Sequence, residues 1–293
     1  AGRLVVGLLT VCAALRRDTL RDLDGNNVQR TLFFRRLEAA VEEEYAKNRL
    51  QFDAEDSPEV EEDPEHSITV LNRQYSDLLF EGDIRVTRSL MRNVFSSRRT
   101  RQALLRNSTN TWRYVPYAFH PAMPYDKRRK ILAGINFWRT NTCIDFRPRT
   151  TERNYLYFIG HDVGCWSTVG RDETQFQQKL SIGKGCDSMG IITHEIAHAL
   201  GMYHQQSRSD RDDYVRVIPN RIRKSILHNF WKRSDSEATS YELPYDLGSV
   251  MHYSSVEFAI DRNQASLFSH DTNMQTTMGN RDEPTFLDLL IMN

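Results

Sequence analysis

Residues 192–215 read ITHEIAHALGMYHQQSRSDRDDYV and place His194, His198 and His204 close together. In a helix, residues four apart lie on one face, so His194 and His198 can aim two imidazoles at one point. Neutral imidazole suits zinc, and three protein ligands with a fourth position left for water make an open, catalytic type of centre. Glu195, beside the first histidine, can reach a water in that position and take its proton. Gly201 supplies the left-handed conformation that ends a helix, and His204 then returns from a different side. The pattern is H-E-x-x-H-x-x-G-x-x-H. Its first five positions alone are common by chance, and the plain alternative is a helix with polar or satisfied core histidines. Gly201 and His204 at these offsets favour the metal.

H-E-x-x-H-x-x-G-x-x-H is the signature of the metzincin zinc endopeptidases. The continuation SRSDRDDYV (207–215) and the stretch YDLGSVMHYSS (245–255) resemble the astacin family of metzincins, and the resemblance covers roughly residues 112–292. It implies an α+β domain with a strand-rich upper part, an active-site helix and an irregular lower part, with the cleft between. It implies one catalytic Zn2+ on His194, His198 and His204, with Glu195 as general base and then acid to the leaving amine. Met251 matches the residue of the Met-turn beneath the metal. Tyr253 matches a tyrosine that stabilises the oxyanion. Cys165 and Cys186 match a disulfide pair. The stretch CWSTVG resembles a sheet edge along which extended peptide substrates lie antiparallel, held by main-chain hydrogen bonds.

Two rivals are weaker. A gluzincin-type protease takes a glutamate as third ligand, against the Gly201 and His204 spacing. A non-catalytic zinc-containing module that binds extracellular peptides or matrix needs neither Glu195 nor Tyr253.

The front of the chain has a different texture. LVVGLLTVCAAL (4–15) is a short apolar run flanked by Arg3 and by Arg16-Arg17. It is too short to span a bilayer comfortably and reads as a secretory signal over residues 1–16. Residues 31–47, TLFFRRLEAAVEEEYAK, carry apolar positions at helical spacing. DAEDSPEVEEDPE (53–65) has eight acidic residues and reads as a solvated linker. LLFEGDI (78–84) resembles the F-x-G-D motif of the family's prosegments through Phe80, Gly82 and Asp83. There the aspartate replaces the water on zinc, which implies a latent proenzyme. The basic stretch SSRRTRQALLR (96–106) offers Arg98, Arg99 and Arg101 to a processing protease. The expected division is a prosegment over 17–101 and a catalytic domain over 102–293. Cleavage falls after Arg101, exposing Gln102, with Arg106 as the alternative.

Several features depart from the family or bear on the whole chain. Gln205 stands where the family has a glutamate linked to the mature N-terminus. Cys143 matches a cysteine whose partner lies near the domain end, and no such partner is found before Asn293. The expectation is a truncation just before it; a free or intermolecularly paired thiol is the alternative. Asn107-Ser108-Thr109 is a sequon. Lys plus Arg and Asp plus Glu balance at 39 each, so charge gives no hint of nucleic acid. A hydrophobic content of 39% allows a real core. Mean hydropathy of −0.60 fits a soluble protein, and no later stretch reads as a membrane anchor. Periodicity predicts strands at RYVPYAFHP (113–121), NYLYFIG (154–160) and GCWSTVG (164–170). It predicts helices over 126–142 and 219–233, and one within 190–203 that Gly201 should end.

Overall fold

The computed structural model describes residues 30–37, 39, 67–76, 78–88, 90–91, 111–160, 164–233 and 240–293. The apolar leader, the acidic block, the basic stretch with both cleavage positions, and the sequon lie outside the described residues. Of the helix expected over 31–47, residues 30–37 and 39 are described and are helical. Phe33 and Leu37, four apart, are its buried face.

The chain is α+β. Val115–Phe119 (β3), Phe146–Pro148 (β4), Tyr155–Ile159 (β5), Cys165–Trp166 (β6) and Gln177–Ile182 (β7) form one sheet in the order β4-β3-β5-β7-β6. All its pairings are parallel except that of β6, one of the two edge strands, which runs antiparallel to β7. Two helices cover one face. Helix α1, Tyr125–Asn141, buries Ile131, Gly134, Ile135 and Trp138, a stripe at three- and four-residue spacing. Helix α2, Met189–Leu200, is buried from Gly190 to Leu200, its polar Thr193, His194, Glu195 and His198 included. The two helices cross closely because Gly134 has no side chain; a Cβ there would lie 2.5 Å from Ile192 Cγ2. One core cluster joins residues of these helices and the sheet, among them Leu156, Phe158, Leu180, Ile182, Ile192 and Ile196, and includes Val250 and Met251. The Cys165–Cys186 disulfide ties β6 to the approach to α2.

After α2 regular structure is sparse. Val215–Val217 (β8) pairs with Leu267–Ser269 (β9), and the described chain closes with α3, Phe286–Met292. The helix predicted over 219–233 is a correction: it forms 3-10 turns at Pro219–Arg221 and Lys224–Phe230. Ile222 between them is extended at φ −116°, ψ 139° and pairs with Ala259. That tertiary pairing outweighs a weak helical preference.

Residues 67–91 lie against this domain. A short helix, Ile68–Leu71, leads to a tight hairpin of Leu79–Phe80 (β1) and Ile84–Arg85 (β2). Beyond β6, Ser167 pairs in parallel with Ile84. The bonds are Arg85 N–H to Ser167 O at 2.7 Å and Ser167 N–H to Asp83 O at 3.0 Å. The Asn72 side chain caps the neighbouring edge position, accepting from Cys165 N–H at 2.8 Å and donating to the Cys165 carbonyl.

Candidate active site

Helix α2 carries the site because both its ends are defined by sequence. Ser188 caps the start, its hydroxyl accepting from Ile191 N–H. Gly201 ends it at φ 119°, a conformation that a side chain disfavours. The chain therefore turns within three residues and brings His204 back onto the face that holds His194 and His198.

Each histidine is oriented through Nδ1. His194 donates to Val250 O at 2.8 Å, His198 to Met202 O at 2.7 Å, and His204 to Glu81 Oε2 at 2.8 Å. These acceptors hold a proton on each Nδ1 and turn each Nε2 toward one point. The three Nε2 atoms converge on one carboxylate, Asp83, at 3.0, 3.3 and 3.2 Å. All four side chains are buried, and their ligand atoms lie within 4.8 Å of one another. His198 Nε2 and Asp83 Oδ1 have no hydrogen-bond partner among the described residues. Three imidazole nitrogens and a carboxylate oxygen are a donor set suited to zinc, and a divalent cation would satisfy both orphaned atoms.

Charges follow this geometry. Burial raises the Asp83 carboxyl, but His204 and His198 outweigh it and hold it well below the usual range. Burial pushes His194 down to about 3 despite Asp83. In His204 burial is outweighed by Asp83 and Glu81, which lift it to about 9. Glu195 is fully buried, with no partner for either carboxylate oxygen among the described residues. Burial, then the nearby Asp83 charge, raise its pKa well above the carboxylate range, so it favours holding a proton.

The floor and far wall come from later in the chain. Met251 is fully buried, and its carbonyl accepts from Gln205 N–H at 2.9 Å. The Tyr253 ring packs on His204 with centroids 4.8 Å apart. Its hydroxyl donates to Glu81 O at 2.7 Å, and burial, then the Glu81 and Asp83 charges, push it well above the phenol range. Gln205 is itself buried. Cys143 is exposed and unpaired; its backbone N–H donates to Asn293 Oδ1 at 2.8 Å, and its thiol lies 3.9 Å from Met292 O.

The sequence singled out Asp83, His194, Glu195, His198, His204, Met251 and Tyr253, and the fold brings all seven together. It did not single out four others. Glu81 is the unspecified position of F-x-G-D. Arg233 donates to Glu81 Oε1 at 2.9 Å. Gln206 accepts from Tyr253 N–H at 3.0 Å. Asp288, in α3, accepts from Ser249 Oγ at 2.5 Å and Val250 N–H at 2.9 Å. Only the acidic first turn of α3, behind Thr285, hinted at Asp288. Nothing local marks the other three.

Comparison with known proteins agrees with this geometry. A family model described as Astacin, a peptidase family, matches residues 104–293. Zinc metalloproteinase nas-29 of Caenorhabditis elegans is 41% identical over 286 residues, 89% of this chain and 54% of that protein. Human meprin A subunit beta is 38% identical over 216 residues, 73% of this chain and 29% of that protein. The chain thus spans about half the length, or less, of these relatives. Among solved structures, high choriolytic enzyme 1, a hatching enzyme zinc-protease of the medaka fish Oryzias latipes, superposes with a TM-score of 0.59 at 32% identity. That match covers 64% of this chain and 94% of the other.

Proposed function

Because this chain belongs to the astacin family of peptidases, we propose that it is a zinc-dependent endopeptidase of extracellular proteins, made as a latent proenzyme. The observation that carries this reading is the convergence of three histidine Nε2 atoms on Asp83, beside an unpartnered Glu195. His194, His198 and His204 would hold the zinc, which would supply a Lewis acid for the scissile carbonyl and for a water beside Glu195.

The chain's own residues do the rest. Glu195 takes the water's proton and returns it to the leaving amine. Tyr253 leaves the Glu81 carbonyl and donates its hydroxyl to the oxyanion. The outward N–H and C=O groups of Cys165 and Ser167 hold an extended peptide by strand addition; residues 72 and 83–85 occupy them here. Asp83 fills the position the attacking water needs, which keeps the proenzyme inactive until residues 17–101 are removed.

The Cys165–Cys186 disulfide and the apolar run at residues 4–15 support export to an oxidising compartment. No helix among the described residues is long and apolar enough to cross a membrane.

The test is cleavage of a quenched peptide by processed protein, with and without a zinc chelator, beside Glu195→Ala. Cleavage is expected to stop with the chelator and to fall about 10²–10⁴-fold in the variant. A variant as fast as the parent would refute the mechanism. N-terminal sequencing of the active species tests latency; a fully active chain that still starts before Asp83 would sink it.

A further inference from the structure

The turn that carries Asp83 into the site carries a second carboxylate with it. Glu81 and Asp83 flank Gly82, and residues 81 and 82 both have left-handed backbone, at φ 50° and 81°. That is natural for glycine and unfavourable for glutamate. Such a conformation persists only where surrounding contacts over-determine it.

The contacts of Glu81 do so. Its side chain is fully buried. Oε1 accepts from Arg233 Nη2 at 2.9 Å, and Oε2 accepts from His204 Nδ1 at 2.8 Å. Its carbonyl accepts from the Tyr253 hydroxyl at 2.7 Å. Arg233 is held in turn by residues on both sides. Its guanidinium lies over the rings of Phe80, at 4.8 Å, and Tyr203, at 4.1 Å. Its backbone N–H donates to Ser207 O at 2.6 Å. One residue of the 67–91 segment therefore engages a zinc ligand, the oxyanion tyrosine and a buried cation, through atoms that Asp83 does not touch.

Resting on the latent-proenzyme reading, we infer that Glu81 is a second inhibitory residue. Its carboxylate locks the segment to His204 and Arg233, and its carbonyl keeps the Tyr253 hydroxyl from substrate. Loss of the Asp83 carboxylate then removes one of two locks, and the remaining one still fills the cleft.

The test uses the uncleaved, zinc-loaded chain as wild type, Glu81→Gln, Asp83→Asn and the double variant. One readout is amide hydrogen exchange at Arg85 and Ser167, whose N–H groups bond across the segment boundary and so report its local opening. The other is cleavage of a quenched peptide. Glutamine keeps the shape of Glu81 and loses the charge. Weakened hydrogen bonds to a charged group predict exchange about 10- to 100-fold faster, with measurable cleavage and the highest cleavage in the double variant. If Glu81→Gln does not fold, Glu81→Asp, which keeps the charge but is too short to reach both partners, gives the same two readouts. Exchange and latency equal to wild type in the Glu81 variant, while Asp83→Asn leaks, would overturn the inference. A wild-type chain that cleaves peptide uncut would instead overturn the latency reading on which it rests.

Discussion

Replacing Asp288 by alanine tests how α3 supports the site from the far end of the chain. The Asp288 carboxylate is 3% exposed, and burial raises its pKa above the usual range despite its donors. It accepts from Ser249 Oγ at 2.5 Å, Val250 N–H at 2.9 Å and Thr285 N–H at 3.0 Å. Ser249 Oγ accepts from Met251 N–H at 3.0 Å, so one carboxylate fixes the backbone from Ser249 to Met251. Val250 O, within that turn, is the acceptor that orients His194. Alanine leaves the Val250 N–H and the Ser249 hydroxyl buried without their acceptor, at roughly 1–3 kcal/mol each. It also removes the capping box of α3, worth about 1 kcal/mol. Water can reach Thr285 and offset part of the cap, so the sum should be about 2–6 kcal/mol, a large part of the roughly 5–15 kcal/mol that holds a domain folded. Urea unfolding at fixed zinc measures it. Competition with a chelator measures the second effect, a loss of zinc affinity of about 10–100-fold from the freed His194. Asp288→Asn, which keeps one acceptor oxygen, should lose less in both. An alanine variant within about 0.5 kcal/mol of the parent, with unchanged zinc affinity, would refute the reasoning.

Three further outcomes follow from other parts of the fold. The Cys165–Cys186 bridge closes a loop with a sequence separation of 21, so replacing both cysteines by serine should cost about 3 kcal/mol in the loop-entropy treatment; an unchanged urea midpoint contradicts this. A Cβ on Gly190 would lie 1.9 Å from the Arg281 carbonyl oxygen. Gly190→Ala should therefore destabilise by about 3 kcal/mol or more through backbone displacement, and a melting temperature equal to the parent's would show that α2 can shift freely. Burial lowers His228 and His252 from 6.5 to about 4. The unfolded chain then binds more protons between those values, so this stability is present above pH 6.5 and is lost as pH falls through about 4, at most about 3 kcal/mol per group. Urea unfolding across pH 4–7 should show that slope, and the same slope after replacing both histidines by asparagine would assign it elsewhere.

The stretch 192–215 by itself determined most of the centre. Helical spacing sets His194 and His198 on one face, and Gly201 is a backbone instruction that returns the chain to them as His204. Local periodicity likewise found α1, α2 and the strands β3 and β5, because their burial patterns repeat within a few residues. Where a contact spans the chain outside a family motif, local pattern leaves no sign of it. Periodicity overran at 219–233, since the extended backbone of Ile222 is set by Ala259 and not by its neighbours. Glu81 occupies a position the motif leaves unspecified, and its partners His204 and Arg233 stand 123 and 152 residues away. Asp288 belongs to the capping box of α3, yet it also holds the turn at Val250 from 38 residues beyond it. Ligand identity is a matter of spacing along one helix and one turn, which a linear sequence records. The groups that orient and support those ligands are chosen by burial and by the requirement that buried polar atoms find partners, and only the folded chain decides which partners those are.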